Sequence, residues 1–154
     1  KSKYFGWLPF NPAKGQVLTD QIDRMPTTHM LNQGVFVLPI QNQRFRIGAT
    51  YSWHDLDWQS TQDARNYLEA KLKPLLRVSY EIEQQQAGIR PATKDRRPFV
   101  GVHPQYSSLW IFNGLGSKGV SLSPYFARQL VETLENGSDL DEVVNIKRNF
   151  SLYC

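Results

Sequence analysis

The sequence predicts an α+β fold, in which a mainly antiparallel sheet carries a packed helix and is followed by a C-terminal strand, glycine turn and helix. Three observations predict this fold. Segments rich in β-branched and aromatic residues alternate with polar turns over the N-terminal third of the chain. Apolar residues adopt helical spacing over Ser60–Lys73. Near the C-terminus, glycines separate an apolar strand from a second helical segment.

The N-terminal third predicts an antiparallel meander. Its extended segments are separated by glycine and polar residues, as in the turn Gln41–Gln43. β-Branched and aromatic side chains favour the pleated, half-buried surface of a sheet. The predicted strands cover residues 14–21, 28–32, 34–40 and 44–51.

A helix is predicted over Ser60–Lys73, because apolar residues recur there on one helix face. Pro74 ends the helix, since proline cannot continue the backbone hydrogen bonding. Either Ser60 or Thr61 can cap its start, and Asp63 lies at capping-box distance from Ser60. The residues that define the predicted buried face are Ala64, Tyr67, Leu68 and Leu72.

The second half of the chain predicts three strands and a second helix. In the first of these strands, Val78, Tyr80 and Ile82 share one face. Pro124 suits the first turn of the helix, and Asn136-Gly137 forms its C-terminal stop. The predicted strands cover residues 78–86, 99–102 and 109–112, and the helix covers residues 120–135.

Composition excludes several classes of protein. The 154 residues include 18 Lys and Arg against 14 Asp and Glu, a net charge of +4, and the one dense cationic cluster, around residues 94–97, is interrupted by Asp95. This pattern does not predict a nucleic-acid-binding protein. Apolar runs such as Gly34–Ile40 are too short to span a membrane. The single cysteine, Cys154, excludes an intrachain disulfide. We therefore expect a cytoplasmic protein.

The remaining chemistry-bearing residues do not form a recognisable metal or hydrolase motif. His29, His54 and His103 lie on distant segments without metal-ligand spacing, so we expect no metal site. No serine has the context of a nucleophile elbow. The chain begins at Lys1 without a methionine, and we expect it to be a piece of a longer protein.

The glycine-rich stretch Gly114–Gly119 has the GxGxxG pattern between a strand and a helix. Such a turn binds dinucleotides when a second parallel strand with an acidic end follows the helix. Only 19 residues follow Glu135, too few for that unit. A tight strand-to-helix turn without a ligand is the structural alternative.

A set of sequence blocks resembles the C-terminal portion of the D-amino-acid oxidase family, the FAD-dependent amine oxidoreductases that include glycine oxidase and sarcosine oxidase. The blocks lie in the family's order and cover most of the chain. They are Lys14–Leu18 (KGQVL), Ile47–Thr50 (IGAT), Gly88–Asp95 (GIRPATKD) with Pro98–Gly101 (PFVG), and Asn113–Pro124.

The resemblance implies a substrate-binding domain over residues 1–92 and a segment over residues 93–154 that returns to the FAD-binding domain. The N-terminal Rossmann half, which binds the FAD pyrophosphate in this family, is expected as the partner of this chain. The glycine turn is then implied to contact the flavin ring of FAD, and many family members have His where Leu115 stands. The implied cofactor-binding residues are Gly114, Leu115, Gly116, Ser117, Lys118, Gly119 and Val120.

The resemblance also implies roles for three side chains. Arg90, in the GxRP block, corresponds to an arginine that holds the substrate carboxylate, and its alternative is a structural ion pair. Arg46 lies two residues before Gly48, where the sarcosine-oxidase branch has a lysine facing the flavin, and its alternative is a solvent-facing strand residue. Thr50 lies at a polar active-site position, and its alternative is an ordinary sheet threonine.

The implied activity is oxidation of the C–N bond of a small amine or amino acid by hydride transfer to flavin. The cofactor supplies this chemistry and the protein supplies placement and charge. Two alternatives remain open at this point. One is the oxidase domain of a tRNA-modifying enzyme that acts on a modified uridine. The other is a non-enzymatic binding module with a fortuitous glycine turn.

Overall fold

The computed structural model describes residues 2–26 and 28–153, so Lys1 and Cys154, on which two of the expectations above rest, lie outside the described residues. The chain forms two compact units. One consists of Ala13–Ile89, and the other combines the residues up to Pro12 with those from Arg90 onward. The division at residue 92 that the resemblance implies stays a prediction about the complete protein.

The Ala13–Ile89 unit is built on a five-stranded sheet with the order β2-β3-β4-β1-β5. The pairs β2–β3, β3–β4 and β4–β1 are antiparallel, which confirms the predicted mainly antiparallel sheet. The strands are β1 (Ala13–Ile22), β2 (Leu31–Asn32), β3 (Phe36–Pro39), β4 (Arg44–Gly48) and β5 (Tyr80–Arg90).

Alternation places the apolar residues of these strands on the face that α1 (Gln62–Leu72) covers. Leu18 lies opposite Ile47 in the ladder between β1 and β4, and both are fully buried. The same cluster contains Leu68 and Leu72 of α1. One face of the sheet is therefore closed by the helix.

The sequence predicted α1, left its cap open between Ser60 and Thr61, and misplaced Tyr67. Thr61 caps the helix, because its Oγ1 accepts the N–H of Ala64 at 3.3 Å, so Ser60 is not the cap. Ala64 is buried as predicted, whereas Tyr67 is 48 % exposed. Tyr67 has the right spacing for the buried face, but the buried stripe is too narrow to include it.

Two strand predictions need correction. The segment predicted over residues 28–32 pairs only at Leu31 and Asn32. Val78, predicted to share one strand face with Tyr80 and Ile82, precedes β5 and is 37 % exposed. Tyr80 and Ile82 do pack against the core of this unit.

The other unit contains the hairpin of β6 (Phe99–Val102) and β7 (Trp110–Asn113), the helix α2 (Gly119–Asn136) and a final 3₁₀-helix (Ile146–Leu152). β6 and β7 are antiparallel. Pro124 is the sixth residue of α2, beyond the first turn predicted for it. Since proline has no N–H, the carbonyl of Val120 cannot receive its helical hydrogen bond there.

The core of this unit depends on residues from both ends of the chain. Phe5 and Leu8 pack with Phe99, Ile111 and Ile146 in one buried cluster. A second cluster joins β6 to α2 and to the segment before the 3₁₀-helix, and it consists of Val100, Phe126, Leu140 and Val144. The N-terminal residues are therefore part of the structure that carries the glycine turn.

Candidate functional site

The residues singled out by the sequence fall in two groups. Arg46 and Thr50 belong to the Ala13–Ile89 unit, and Arg90 and the glycine turn belong to the other. Each group is described within its own unit.

Arg46 lies on the sheet face opposite α1. Its neighbours Phe45 and Ile47 are fully buried, so alternation directs Arg46 away from the core, and it is exposed. In the ladders, Arg46 lies opposite Thr19 of β1 and Leu38 of β3. A strand arginine in the middle of the sheet therefore supplies a positive charge to this face.

A cleft of about 650 Å³ lies over this face, and Arg46 contributes to its lining. Arg44 donates to Glu83 across the cleft at 2.7 Å, so this carboxylate already has a cationic partner. Among the described residues, Arg46 has no ion pair, so its charge is available to a ligand. The lining residues are Thr19, Ile40, Arg44, Arg46, Glu83 and Gln84.

The alternation of exposed and half-buried residues along β5 is interrupted at the floor of this cleft. Glu83 and Gln84 are consecutive, exposed and both line the cleft, while Ile82 and Gln85 on either side are half-buried. Two consecutive residues on one face are typical of a β-bulge, which re-aims side chains at a site.

Thr50 is fixed beside β1 rather than directed freely into the cleft. Its Oγ1 accepts the N–H of Gln16 at 2.9 Å, and its own N–H donates to the carbonyl of Gln16 at 3.1 Å. The hydroxyl thus has a structural function in addition to any role in a site.

Gln16 is a functional-site candidate that sequence reasoning missed. Its side chain is buried, its Oε1 accepts the N–H of Thr61 at 2.9 Å and the Nε2–H of Gln85 at 3.0 Å, and its Nε2 donates to Thr61 Oγ1 at 3.1 Å. It therefore connects Thr50, the start of α1 and β5. The only sequence signal was its place in the KGQ block, because its partners lie far away in the chain.

Lys14, in the same block, anchors the loop that follows β4. Its side chain is 3 % exposed and pairs with Asp57, and the Lys14 hydrogen bond lowers the pKa of that carboxyl. Backbone hydrogen bonds join Lys14 to Ser52 in both directions. The anchored loop presents Trp53 and Trp58, which are 56 % and 72 % exposed.

In the other unit, the glycine turn has a left-handed backbone, which glycine adopts at the lowest cost. Gly114 has a φ of 79° and Gly116 a φ of 55°. A Cβ on Gly114 would lie 2.7 Å from Thr93 Cγ2 and 3.2 Å from the Phe99 nitrogen. The turn therefore lies directly against the segment that follows Arg90.

The start of α2 presents an uncapped helix N-terminus. Lys118 is the N-cap residue, no side chain caps the helix, and its first turn contains no acidic residue. The free N–H groups and the helix dipole favour a negatively charged or hydrogen-bond-accepting group here. Leu115 accepts the N–H of Lys118 at 3.0 Å through its carbonyl, and Ser117 and Lys118 are exposed.

Arg90 is half-buried at the end of β5. Its carbonyl accepts the N–H of Ala92 at 2.8 Å. Ala92 in turn approaches Gly116, where a Cβ would lie 3.6 Å from the Ala92 Cβ. The fold thus brings Ala92 and Thr93 together with the glycine turn, which is more than twenty residues away in the chain.

His103 is held by contacts within its own unit. His103 is buried, its Nδ1 accepts the N–H of Gln105 at 3.1 Å, and its Nε2 lies 3.1 Å from the carbonyl of Tyr4. Within residues 2–26 and 28–153, no cluster of His, Cys, Asp or Glu could hold a metal ion. In the same residues, no helix is long and apolar enough to cross a bilayer.

Comparison with known proteins identifies the family of the chain. The family model described as DAO, FAD dependent oxidoreductase, matches residues 3–133. Glycine oxidase from Bacillus subtilis (strain 168) is 32% identical over 121 residues, which cover 75% of this chain and 32% of that protein. The chain therefore spans about a third of the length of this relative.

Two further similarities concern the fold and a second type of enzyme. The crystal structure of glycine oxidase from Geobacillus kaustophilus matches with a TM-score of 0.72 and 25% identity, covering 89% of this chain and 39% of that one. A tRNA 5-methylaminomethyl-2-thiouridine biosynthesis bifunctional protein from Vibrio campbellii is 27% identical over 165 aligned positions, covering 82% of this chain and 24% of that protein.

Proposed function

Because this chain belongs to the DAO family of FAD-dependent oxidoreductases, we propose that it supplies the substrate-binding sheet and the flavin-contacting turn of an enzyme that oxidises the C–N bond of an amine or amino acid. The observation that carries the proposal is the glycine turn at the uncapped start of α2, pressed against the segment after Arg90. Similarity to glycine oxidases supports the substrate class.

The residues of the turn fit a flavin. Gly114 lets the turn pack against Thr93, because a Cβ there would lie 2.7 Å from Thr93 Cγ2, and this packing fixes the shape of the backbone that a planar ring would contact. The N–H groups at the start of α2 carry partial positive charge with no acidic side chain opposing it. The residues that would contact the ring are Gly114, Leu115, Gly116, Ser117, Lys118, Gly119 and Val120.

A bound FAD would supply the hydride-accepting chemistry for oxidation of the carbon next to the amine nitrogen. Backbone N–H groups of the turn would stabilise negative charge at the N1 and C2=O edge of the ring. No side-chain base is needed if the amine is neutral when it binds. The contribution of this chain is therefore placement and charge rather than proton transfer.

Arg90 would bind the carboxylate of the substrate. A guanidinium remains charged at all relevant pH values and can form two parallel hydrogen bonds to a carboxylate. This role requires a substrate that carries a carboxylate, as glycine does. Within the Ala13–Ile89 unit, Arg46 would supply a positive charge from the sheet, and Thr50 would supply a hydroxyl at the edge of that sheet.

The remaining two thirds of the complete protein would bind the FAD pyrophosphate. We therefore expect the isolated chain to bind FAD weakly or not at all and to have no oxidase activity. Desalting the isolated chain after incubation with FAD tests this, and a protein that stays yellow contradicts it.

The function itself is tested on the full-length protein that carries this chain. Purified with FAD, it is incubated with glycine, with N-methylglycine and with ethylamine, and ammonia, methylamine and the carbonyl products are measured. Product formation from at least one of these supports the proposal. A protein that carries flavin and turns over none of a broad set of amines and amino acids contradicts it.

A second candidate is oxidation of a modified uridine in tRNA, favoured by the similarity to the Vibrio campbellii protein. The net charge of +4 is compatible with contact to a phosphate backbone. Affinity of the full-length protein for tRNA that falls steeply with salt would support this candidate, and turnover of free amino acids without RNA affinity would favour the first.

A further inference from the structure

Asp20 is a buried carboxyl group in the core of the Ala13–Ile89 unit. It is fully buried near the C-terminal end of β1, opposite Phe45 in the ladder and between the buried Leu18 and Ile22. In the part of the chain that the structure describes, neither of its side-chain oxygens has a hydrogen-bond partner. An ionised carboxylate without a partner is very costly in such a place.

The charged groups around Asp20 do not offset this cost. From α1 it is faced by Glu69 and Arg65, and Arg65 is already paired with Glu69 at 2.7 Å. From β5, Tyr80 packs against the same core. Glu83 also raises the pKa of Asp20, but it lies on the cleft face of the sheet, where Arg44 is its partner. Burial and the neighbouring Glu69, with Arg65 already engaged by Glu69, therefore favour the neutral form of Asp20.

We propose that Asp20 is a pH-sensitive device of this unit, which holds α1 on the sheet as a neutral carboxylic acid and loosens that packing when it ionises. Nothing in the proposed function requires such a group, and the inference stands independently of it. The residue lies in the same strand as Gln16, which holds the start of α1 and Thr50. Loosening α1 would therefore also relax the edge of the candidate site.

The direction in which stability depends on pH follows from the raised pKa of Asp20. Burial, and then Glu69, raise the pKa of Asp20 from 3.8 to about 7. Between these two values the unfolded chain has released the proton and the folded chain retains it. The contribution of Asp20 to stability is therefore fully present below about pH 4, declines as the pH rises, and is lost above about pH 7.

The test compares the chain with Asp20→Asn, which keeps the shape of the side chain but cannot ionise. The folding equilibrium constant of each is measured by urea unfolding between pH 5 and 9. The ratio of the variant constant to the wild-type constant should rise about 100-fold between pH 5 and pH 8 and then level off. Taking this ratio cancels the pH dependence of all other groups.

Asp23→Asn is the matched control, because Asp23 follows the same strand and is exposed. The ratio of the Asp23→Asn folding constant to the wild-type folding constant should vary by less than about threefold over the whole pH range. A ratio for Asp20→Asn that is equally flat would overturn the proposal. If Asp20→Asn does not fold, ¹³C NMR titration of the Asp20 carboxyl in the wild-type chain decides instead. A midpoint near 7 supports the proposal, and one near 4 contradicts it.

Discussion

The two units of the chain place their candidate functional groups in different ways. In the Ala13–Ile89 unit, the cleft is lined by side chains of a sheet whose other face is closed by α1. In the other unit, the candidate flavin contact is a backbone turn whose shape depends on glycines at positive φ. Substitutions in the first should therefore act through charge and polarity, and substitutions in the second through the conformation of the chain.

Both units leave apolar side chains exposed, such as Trp53 and Trp58 in the sheet unit, but the exposed residues of the other unit include a stripe on one helix. Fully buried residues from β1, β3, β4 and α1 form one continuous cluster in the sheet unit. In the other unit, α2 packs through Phe126 but carries a second apolar stripe that faces outward. Val120, Val131 and Leu134 on that stripe are 95 %, 49 % and 54 % exposed. The unit that holds the glycine turn thus has a helix face free for a further packing partner.

The largest expected effect would come from Arg90, the side chain that the glycine-turn unit contributes to the proposed site. Arg90→Ala in the full-length enzyme should lower kcat/KM for an amino acid by roughly 30- to several-thousand-fold, since an unpaired buried charge costs about 2–5 kcal/mol. Arg90→Lys keeps the charge but loses the paired hydrogen bonds. Steady-state kinetics with both variants measure the loss.

An amine without a carboxylate is the control for this prediction. Its kcat/KM should change much less, because no anion is left without a partner. Equal losses for both substrates would show that Arg90 is a structural residue, and its contribution would then be to the fold alone.

The second-largest expected effect is a loss of stability in the glycine turn, and it tests whether the turn acts through its backbone. Gly114→Ala should lower the free energy of unfolding by about 3 kcal/mol, because it combines an unfavourable φ with a collision against Thr93. Gly137→Ala is the matched control: Gly137 has a φ of 69° but no atom within 4 Å of its would-be Cβ. Gly137→Ala should lower the free energy of unfolding by only about 1 kcal/mol. Urea unfolding of the two variants measures both, and equal losses would mean that the close packing of the turn contributes nothing.

The smallest effect concerns the start of α1. Thr61→Ala should cost about 1 kcal/mol, because it removes the acceptor for the Ala64 N–H and one partner of Gln16. Ser60→Ala should change the unfolding free energy by less than about 0.5 kcal/mol, because Ser60 does not cap the helix. Thermal or urea unfolding measures both changes. A larger loss of unfolding free energy for Ser60→Ala than for Thr61→Ala would show that Ser60 is the cap.

Much of the fold could be predicted from the sequence because its signals are local. The period-2 pattern located β1 and β4, helical spacing located α1, and β6 was predicted over the residues it occupies, Phe99–Val102. The glycine turn could be identified from its GxGxxG pattern, because glycine adopts positive φ at the lowest cost. These features depend on neighbours in the chain.

Contacts between distant residues could not be predicted in this way. Phe5 and Leu8 carry no local sign that they pack with Phe99 and Ile146. The pairing of Lys14 with Asp57 joins residues 43 positions apart. An acidic residue at position 20 looks like a surface residue in the sequence, and only the assembled sheet and helix show that it is buried. Tertiary packing decides all three.

The central claim, that this chain belongs to the site where an amine carbon is oxidised at a flavin, is tested most directly by mixing the full-length enzyme with substrate in the absence of oxygen. We expect glycine, or another amine that the enzyme accepts, to bleach the visible absorbance of the bound flavin. Replacing the hydrogens on the carbon next to nitrogen by deuterium should slow the bleaching severalfold. Flavin that stays oxidised with every amine and amino acid tried would contradict the claim.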